Sequence, residues 1–239
     1  MITTESRTVK ELAVQMRGAA RVFEQFGIDY CCGGKIPLDQ ACEEAGLCLD
    51  KVLASLERAE HEPAAAYDWP RESLSALAEH IVEKHHAFTK AETSRLAALF
   101  AKVCAVHAAR HPELTIMQTT FNEMANDLRT HMLKEEHILF PYLAAMEQAM
   151  AEKRAVPRAM FGSIENPVRT MMIEHDSAGE ALRAIREASH GYAAPEDVCT
   201  SYRELYRSLA AFEADVHVHV HLENNILFPR ALEMEAGAV

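Results

Sequence analysis

The most specific chemical pattern in this chain is a short segment that occurs twice. HMLKEEHILFP begins at His131, and HVHLENNILFP begins at His219. Both segments read HxxxExxILFP, and their starts are 219 − 131 = 88 residues apart. Because residues four apart share one face of an α-helix, each HxxxE pair can direct an imidazole and a carboxylate toward a common centre. The repeat therefore predicts two equivalent helices that carry ligand pairs.

A second pair of histidines follows nearly the same offset. His85 and His175 are 175 − 85 = 90 residues apart, so each half of the duplication offers one further histidine from its first helix. Each of these histidines and each HxxxE pair falls on an apolar helical stripe, which is the face that a bundle buries. The predicted set of buried ligands is His85, His131, Glu135, His175, His219 and Glu223.

A buried set of carboxylates and imidazoles needs a compensating positive charge in the core. Burying carboxylates and imidazoles alone costs several kcal/mol per group, whereas the net stability of a domain is about 5–15 kcal/mol. Two cations would offset this cost, and each glutamate could bridge them. Imidazole and carboxylate ligands without thiolate favour iron or manganese over structural zinc, although they do not separate iron from manganese. The alternative, a buried polar network without metal, is disfavoured by the matched duplication.

Other histidines lie off the predicted stripe. His217 and His221 could chelate a metal as an i, i+4 pair, but two residues rotate a helix by about 200°, which places them opposite His219. We expect both at the surface. His86 lies off the apolar stripe of its helix and His137 has no counterpart in the second repeat, so neither is predicted to be a ligand.

The elements that must position these residues are helices. Strand signals are nearly absent, and long stretches are rich in Ala, Leu, Glu, Met and Arg, which indicates an all-α fold. Long helical stretches joined by modest loops predict an antiparallel four-helix bundle over residues 71–239. The expected helices cover residues 71–108, 115–150, 166–190 and 196–233.

Ahead of the bundle we predict a small helical domain over residues 1–62 and a linker over 63–70, where two prolines and three alanines cluster. Within the small domain, apolar spacing from Thr8 onward predicts one helix that ends at the turn-like segment IDYCCGGKIP. This segment holds Cys31 and Cys32. A positive charge at Lys35 would favour a reactive thiolate, hence a redox role; alternatively, both are small buried apolar side chains.

The composition limits the classes of binding partner that can be expected. Hydrophobic residues make up 49% and charged residues 25% of the 239 residues, as in globular proteins. A net charge of −12 disfavours nucleic acids, whose phosphates attract Lys and Arg. Without a signal-peptide pattern or an apolar run of about 18 residues, no membrane association is expected and a cytoplasmic location is predicted, with reduced cysteines.

Four segments together resemble one family, the repair-of-iron-centres (YtfE/ScdA-like) di-iron proteins. They are DYCCGGK at 29–35, HMLKEEHILFP at 131–141, EHDSAGE at 174–180 and HLENNILFPRAL at 221–232. The resemblance covers nearly the whole chain. It implies a hemerythrin-like bundle that carries two non-haem iron ions, bridged by carboxylates and with or without an oxo group, behind an ScdA-type N-terminal domain.

The resemblance also implies a function and roles for particular residues. Proteins of this family restore iron–sulfur clusters damaged by nitric oxide or oxidants in a stress response, by supplying iron, so damaged or apo iron–sulfur proteins would be partners. The six predicted ligands match the iron ligands of the family. Glu174 matches a carboxylate that lines the approach to the iron, and Asp127 stands at a related position where the family has glutamate.

Three functions stay open at this point. The first is iron donation, which involves no catalytic turnover. The second is an enzyme or scavenger that binds nitric oxide, with or without reducing it, and the third is reversible oxygen carriage, which the fold alone does not establish. The sequence is compatible with a monomer or a homodimer.

Overall fold

The computed structural model describes residues 7–16, 18–60 and 69–237. Residues 63–68 of the predicted linker, and the predicted domain boundary after residue 62, lie outside the described residues. Within those ranges every regular element is a helix, and β pairing is limited to two isolated bridges. The prediction of an all-α fold is confirmed.

The N-terminal part folds into four short helices around its own apolar core. They are α1 (Val9–Gln15), α2 (Ala19–Phe26), α3 (Leu38–Glu44) and α4 (Leu49–Glu60). Leu12, Phe23 and Leu56 are almost fully buried in this core. Because this core is separate from those of the bundle, the N-terminal part has the character of a small domain.

The single helix predicted after Thr8 is wrong: α1 and α2 are separate. Met16 is extended, with φ −104° and ψ 126°, and Gly18 is left-handed, with φ 73°. Glycine adopts this conformation without the steric cost that a Cβ would bring. The apolar spacing runs through the break because both helices face the same core.

Four long helices form the bundle, and three of them contain a π-helical stretch. The segments are Leu74–His80, Ile81–His86 (π) and Ala87–His107 in α5; Glu113–Lys134, Glu135–Leu139 (π) and Phe140–Ala151 in α6; Glu165–Ala188 in α7; and Thr200–His221, Leu222–Leu227 (π) and Phe228–Gly237 in α8. In a π stretch the backbone bonds run from i to i+5, so each turn holds an extra residue. Helix α5 packs against α6 and α8, and α6 packs against α7.

Two apolar cores lie in the bundle, one toward each end. Helices α5 and α7 begin in the core that contains Leu77 and finish in the core that contains Phe100, whereas α6 and α8 run the opposite way. This order confirms the antiparallel four-helix bundle. The predicted ligand positions fall where each helix passes from one core to the other. No helix in the described part of the chain is long and apolar enough to cross a membrane.

Gly34 offers a test of the N-terminal packing. A Cβ at this position would lie 2.8 Å from the backbone oxygen of Tyr30, and backbone cannot move aside as a flexible side chain can. We expect Gly34→Ala to destabilise the protein by about 1–3 kcal/mol, the usual cost of overpacking, measured by urea unfolding. Gly237→Ala is the control, since a Cβ there meets nothing within 4 Å. Equal stability of the two variants would contradict this account of the turn.

Candidate metal centre

Six buried side chains meet in a polar layer between the two apolar cores of the bundle. They form two groups whose ligand atoms lie within 4.8 Å of one another: His86, Glu135, His219 and Glu223 in one, and His131, Glu135, His175 and Glu223 in the other. Both glutamates belong to both groups, and both are 0% exposed. The layer therefore has the form of two adjacent cation positions joined by carboxylates.

Each group combines histidines from both halves of the duplication. His86 of α5 faces His219 of α8, with 3.1 Å between their Nε2 atoms. His131 of α6 faces His175 of α7, with 2.9 Å between their Nε2 atoms. Each hairpin thus supplies one imidazole to each group, and neither group can form from one hairpin alone.

The structure corrects one predicted ligand, because His86 and not His85 reaches the layer. The π stretch of α5 starts at Ile81. In an α-helix, His85 would lie on the same face as Ile81, because it is four positions later. In the wider π turn, His86, five positions after Ile81, takes that place. His85 instead directs Nδ1 toward Oδ1 of Asp215, 3.1 Å away, and its ring stacks beside His219 at 5.8 Å. The other five predicted ligand side chains are all brought together.

The face of α8 opposite the layer is covered, which corrects the expectation that His217 and His221 lie at the surface. His221 is buried, and its Nδ1 lies 2.9 Å from the amide nitrogen of Asn225. Burial lowers the pKa of His221 to about 4, with a smaller contribution from nearby positive charge. His217 is half-buried and its Nδ1 lies 2.9 Å from a carboxylate oxygen of Glu24. Since Glu24 and Tyr30 belong to the N-terminal domain, that domain docks here.

The glutamate oxygens are the strongest indication of a ligand. The oxygens of both glutamates are buried and face imidazole nitrogens. Oε2 of Glu135 lies 3.2 Å from Nε2 of His131, and Oε2 of Glu223 lies 3.1 Å from Nε2 of His175. Oε1 of Glu135 is buried without a hydrogen-bond partner among the described residues. Burial by itself would raise the pKa of Glu223, but the charge of His219 and hydrogen bonds from His175 and His219 hold it well below the usual range. The pKa of Glu135 is also lowered, against burial and the charge of Glu223, by His131. Ionised, buried oxygens grouped with imidazole nitrogens in this way suit divalent cations.

The outward nitrogens of three imidazoles are held by acceptors. The pairs are His86 Nδ1 with Glu136 at 2.7 Å, His131 Nδ1 with Glu174 at 2.8 Å, and His175 Nδ1 with Asn224 at 2.9 Å. Since a carboxylate or amide oxygen accepts, Nδ1 carries the proton and Nε2 is available toward the layer, as in most metal-bound histidines. Glu136 and Asn224 are equivalent in the repeat, 224 − 136 = 88 residues apart.

The carboxylates of the layer affect the pKa values of its histidines unequally. Burial lowers the pKa of His219 in spite of the charge and hydrogen bond of Glu223. Burial also opposes the charged form of His131, yet Glu135, Glu223 and a hydrogen bond to Glu174 raise its pKa to about 9. A cation would compete with a proton at such an imidazole, because imidazole must be deprotonated at the nitrogen that binds the metal.

A cavity of about 410 Å³ between α6 and α7 reaches one side of the layer. It is lined by His131 and by three carboxylates, Glu123, Asp127 and Glu174. One oxygen of Glu174 accepts from His131, and the other accepts from the ammonium group of Lys134. The two predicted approach residues, Glu174 and Asp127, therefore line the same cavity, to which sequence reasoning did not assign Glu123.

The cysteine pair contacts the bundle beside the layer. The sulfurs of Cys31 and Cys32 are 3.7 Å apart, and both backbone N–H groups donate to Oδ1 of Asp29, at 3.1 and 3.0 Å. Hydrogen bonding to Cys32, burial and the Asp29 charge raise the pKa of Cys31 well above its usual value, which disfavours the thiolate form of Cys31. Cys32 Sγ lies 3.9 Å from the carbonyl oxygen of His175.

The fold and the layer define a class, the cation-binding four-helix bundles with histidine and shared carboxylate ligands. Residues 77–231 match the hemerythrin HHE cation binding domain, and residues 5–60 match ScdA_N, a domain of unknown function. The iron-sulfur cluster repair protein YtfE of Pectobacterium carotovorum subsp. carotovorum (strain PC1) is 33% identical over 96% of this chain and 98% of its own length. The YtfE protein of Yersinia pseudotuberculosis serotype IB (strain PB1/+) is 30% identical over the same shares. The chain belongs to the YtfE family of ScdA_N and hemerythrin HHE proteins.

The adjacent histidines of α5 allow a direct test of the layer. We expect His86→Ala to weaken binding of one divalent cation by more than about 100-fold, since even residues behind the ligands contribute 10–100-fold. His85→Ala is the matched control and should keep the metal content of the unaltered protein. Metal per chain is measured after ferrous loading and desalting. Loss of metal in His85→Ala with retention in His86→Ala would reverse our assignment.

Proposed function

We propose that this protein repairs damaged iron–sulfur clusters by holding two iron ions in the polar layer and donating iron to the cluster protein. The observation that carries this proposal is the pair of buried ligand groups that share Glu135 and Glu223, whose oxygens face the Nε2 atoms of the histidines. The names of the relatives, iron-sulfur cluster repair proteins, support the same conclusion. The proposed ligands are His86, His131, Glu135, His175, His219 and Glu223.

The ligand types suit an ion that must also leave. Each position has two imidazoles and two shared carboxylates, without the thiolates that would hold zinc more permanently. Bound iron would supply redox and Lewis-acid chemistry as well as the cargo itself. The protein's own contribution is to fix Nε2 of His86, His131 and His175 by the hydrogen bond at Nδ1.

The two positions differ in access, which suggests the order of release. His131 lies against the carboxylate-lined cavity, whereas His86 and His219 are enclosed between α5 and α8. We therefore assign the donated ion to the position of His131 and His175. Glu174 is the first carboxylate on the way out, and Asp127, in the same cavity, offers a further oxygen to a departing cation.

The binding of nitric oxide, with or without its reduction, is the second candidate. The cavity of about 410 Å³ favours it, since a small diatomic molecule could reach the side of His131 through the same opening. This alternative would make the protein an enzyme or a scavenger. Oxygen carriage has no support here beyond the fold, and a fold does not fix function.

The setting and the partners follow from the same proposal. Damaged or apo iron–sulfur proteins are the recipients, and Cys31 and Cys32 dock or reduce them. Free thiols at all six cysteines agree with a cytoplasmic location, where thiols stay reduced. All six proposed ligands come from one chain, so the site needs no partner subunit, and either a monomer or a homodimer could act.

Iron transfer through the cavity can be tested with Glu174→Gln. Glutamine removes the charge but keeps an oxygen that can accept from Nδ1 of His131. We therefore expect loaded iron to be retained while transfer to an apo cluster protein slows by about 3–10-fold, because the attraction for a departing cation is weaker. Cluster absorbance in the recipient and iron left in the donor are measured together. Glu180→Gln, an exposed acid on the same helix, is the control.

Two results would oppose iron donation. One is cluster restoration without loss of iron from the donor. The other is catalytic removal of nitric oxide by protein that restores no cluster, which would favour the second candidate. Equal transfer rates for Glu174→Gln and Glu180→Gln would reject the route through the cavity but not iron donation itself.

The proposed role of the cysteine pair has its own test. In the double variant Cys31→Ser, Cys32→Ser we expect cluster restoration to fall by at least about threefold, because docking or reduction needs the sulfurs. Bound iron should be unchanged, since neither thiol belongs to the ligand groups. Cys48→Ser, an exposed cysteine of the same domain, is the control. Restoration at the unaltered rate would show that the pair is structural.

A further inference from the structure

Two helix ends meet at the opposite end of one apolar core from the polar layer, and each carries a side chain able to transfer a proton. Helix α5 ends at His107, and α8 begins directly after Cys199. Nε2 of His107 lies 3.2 Å from Sγ of Cys199. Neither residue belongs to the ligand groups, so this thiol and imidazole have no part in the function proposed above.

The pair lies between two helix ends of opposite polarity. The last carbonyls of a helix favour a cation, and the first N–H groups favour an anion. Cys199 is the N-cap of α8, since its carbonyl oxygen accepts from the backbone nitrogens of Tyr202 and Arg203 at 3.1 and 3.2 Å. The first turn of α8 contains no acidic residue.

The imidazole is held in place while the sulfur stays accessible. The ring of His107 packs edge-on against buried Tyr202, with centroids 5.4 Å apart and planes at 89°. The same tyrosine contacts His111 at 5.3 Å, and Nδ1 of His111 lies 3.1 Å from Oε1 of Glu113. Cys199 is exposed to solvent. A fixed base beside an exposed thiol is the arrangement of an activated sulfur nucleophile.

We propose that Cys199 is a thiol activated by His107, and that it forms a mixed disulfide with small disulfides of the glutathione class. Nε2 of His107 takes the thiol proton, and the thiolate attacks one sulfur of the small disulfide. The new bond to Cys199 forms as the old sulfur–sulfur bond breaks. The leaving thiolate takes the proton from His107 and departs as a thiol, so one disulfide replaces another without net oxidation.

Cys48 provides a matched control within the same molecule. It is also exposed and also precedes a helix, since its carbonyl oxygen accepts from the backbone nitrogens of Lys51 and Val52 at 3.1 and 3.3 Å. Unlike Cys199, it contacts no imidazole in the part of the chain that the structure describes. The two cysteines share exposure and helix position but differ in two ways: Cys199 has His107 beside it, and the first turn after Cys48 contains Asp50. Substitution of His107 separates these two effects.

The full-length protein is incubated with oxidised glutathione at pH 7, and the modified fraction of each cysteine is followed by peptide mass mapping. We expect Cys199 to react at least about tenfold faster than Cys48. Comparable rates in the unaltered protein would overturn the proposal, with no variant needed.

His107→Gln tests the imidazole itself. The ratio of the Cys199 rate to the Cys48 rate should then fall by at least about threefold, while melting temperature and iron content stay unchanged. His111→Gln, which alters the neighbouring imidazole, should keep the high ratio. A ratio that stays high in His107→Gln would overturn the role of His107.

Discussion

The burial of two ionised glutamates inside a helical bundle is the constraint on which the rest of this structure depends. Glu135 and Glu223 are fully buried, so neither carboxylate is solvated at the protein surface. Four imidazoles surround them and supply compensating protons or, with Nε2 deprotonated, the remaining ligands of a cation. Two apolar cores flank this layer, so the charges within it interact more strongly than they would in water.

The π stretches are how the helices meet this constraint. Three of the four bundle helices contain one, and each lies at the level of the polar layer: Ile81–His86, Glu135–Leu139 and Leu222–Leu227. Helix α7 places His175 in the layer with regular α-helical spacing, so a π stretch is not required at every ligand position. In α5 the extra residue per turn moves the inward position from His85 to His86. π turns are often found at functional sites. Here the three π stretches lie at the level of the polar layer.

The sequence predicts the features that depend on a regular helical period and on the internal repeat. It does not predict the features that depend on a local change of the helical period. The HxxxE repeat identified both glutamates and two histidines because i, i+4 spacing still holds just ahead of the π turns. His85 was chosen over His86 because a 3.6-residue period was extended through Ile81, where it does not apply. The burial of His221 was missed for another reason: the face of α8 looks polar, and only docking of the N-terminal domain covers it.

That docking connects the small domain to the polar layer through consecutive residues of α8. Asn225 donates to the backbone oxygen of Tyr30 at 3.0 Å, while its neighbour Asn224 accepts from His175 inside the layer. On the other side, Cys32 rests against the carbonyl oxygen of the same histidine. His175 is therefore touched from two directions by groups whose positions depend on the N-terminal domain. The docking of the small domain and the support of His175 therefore depend on adjacent residues of the same helix.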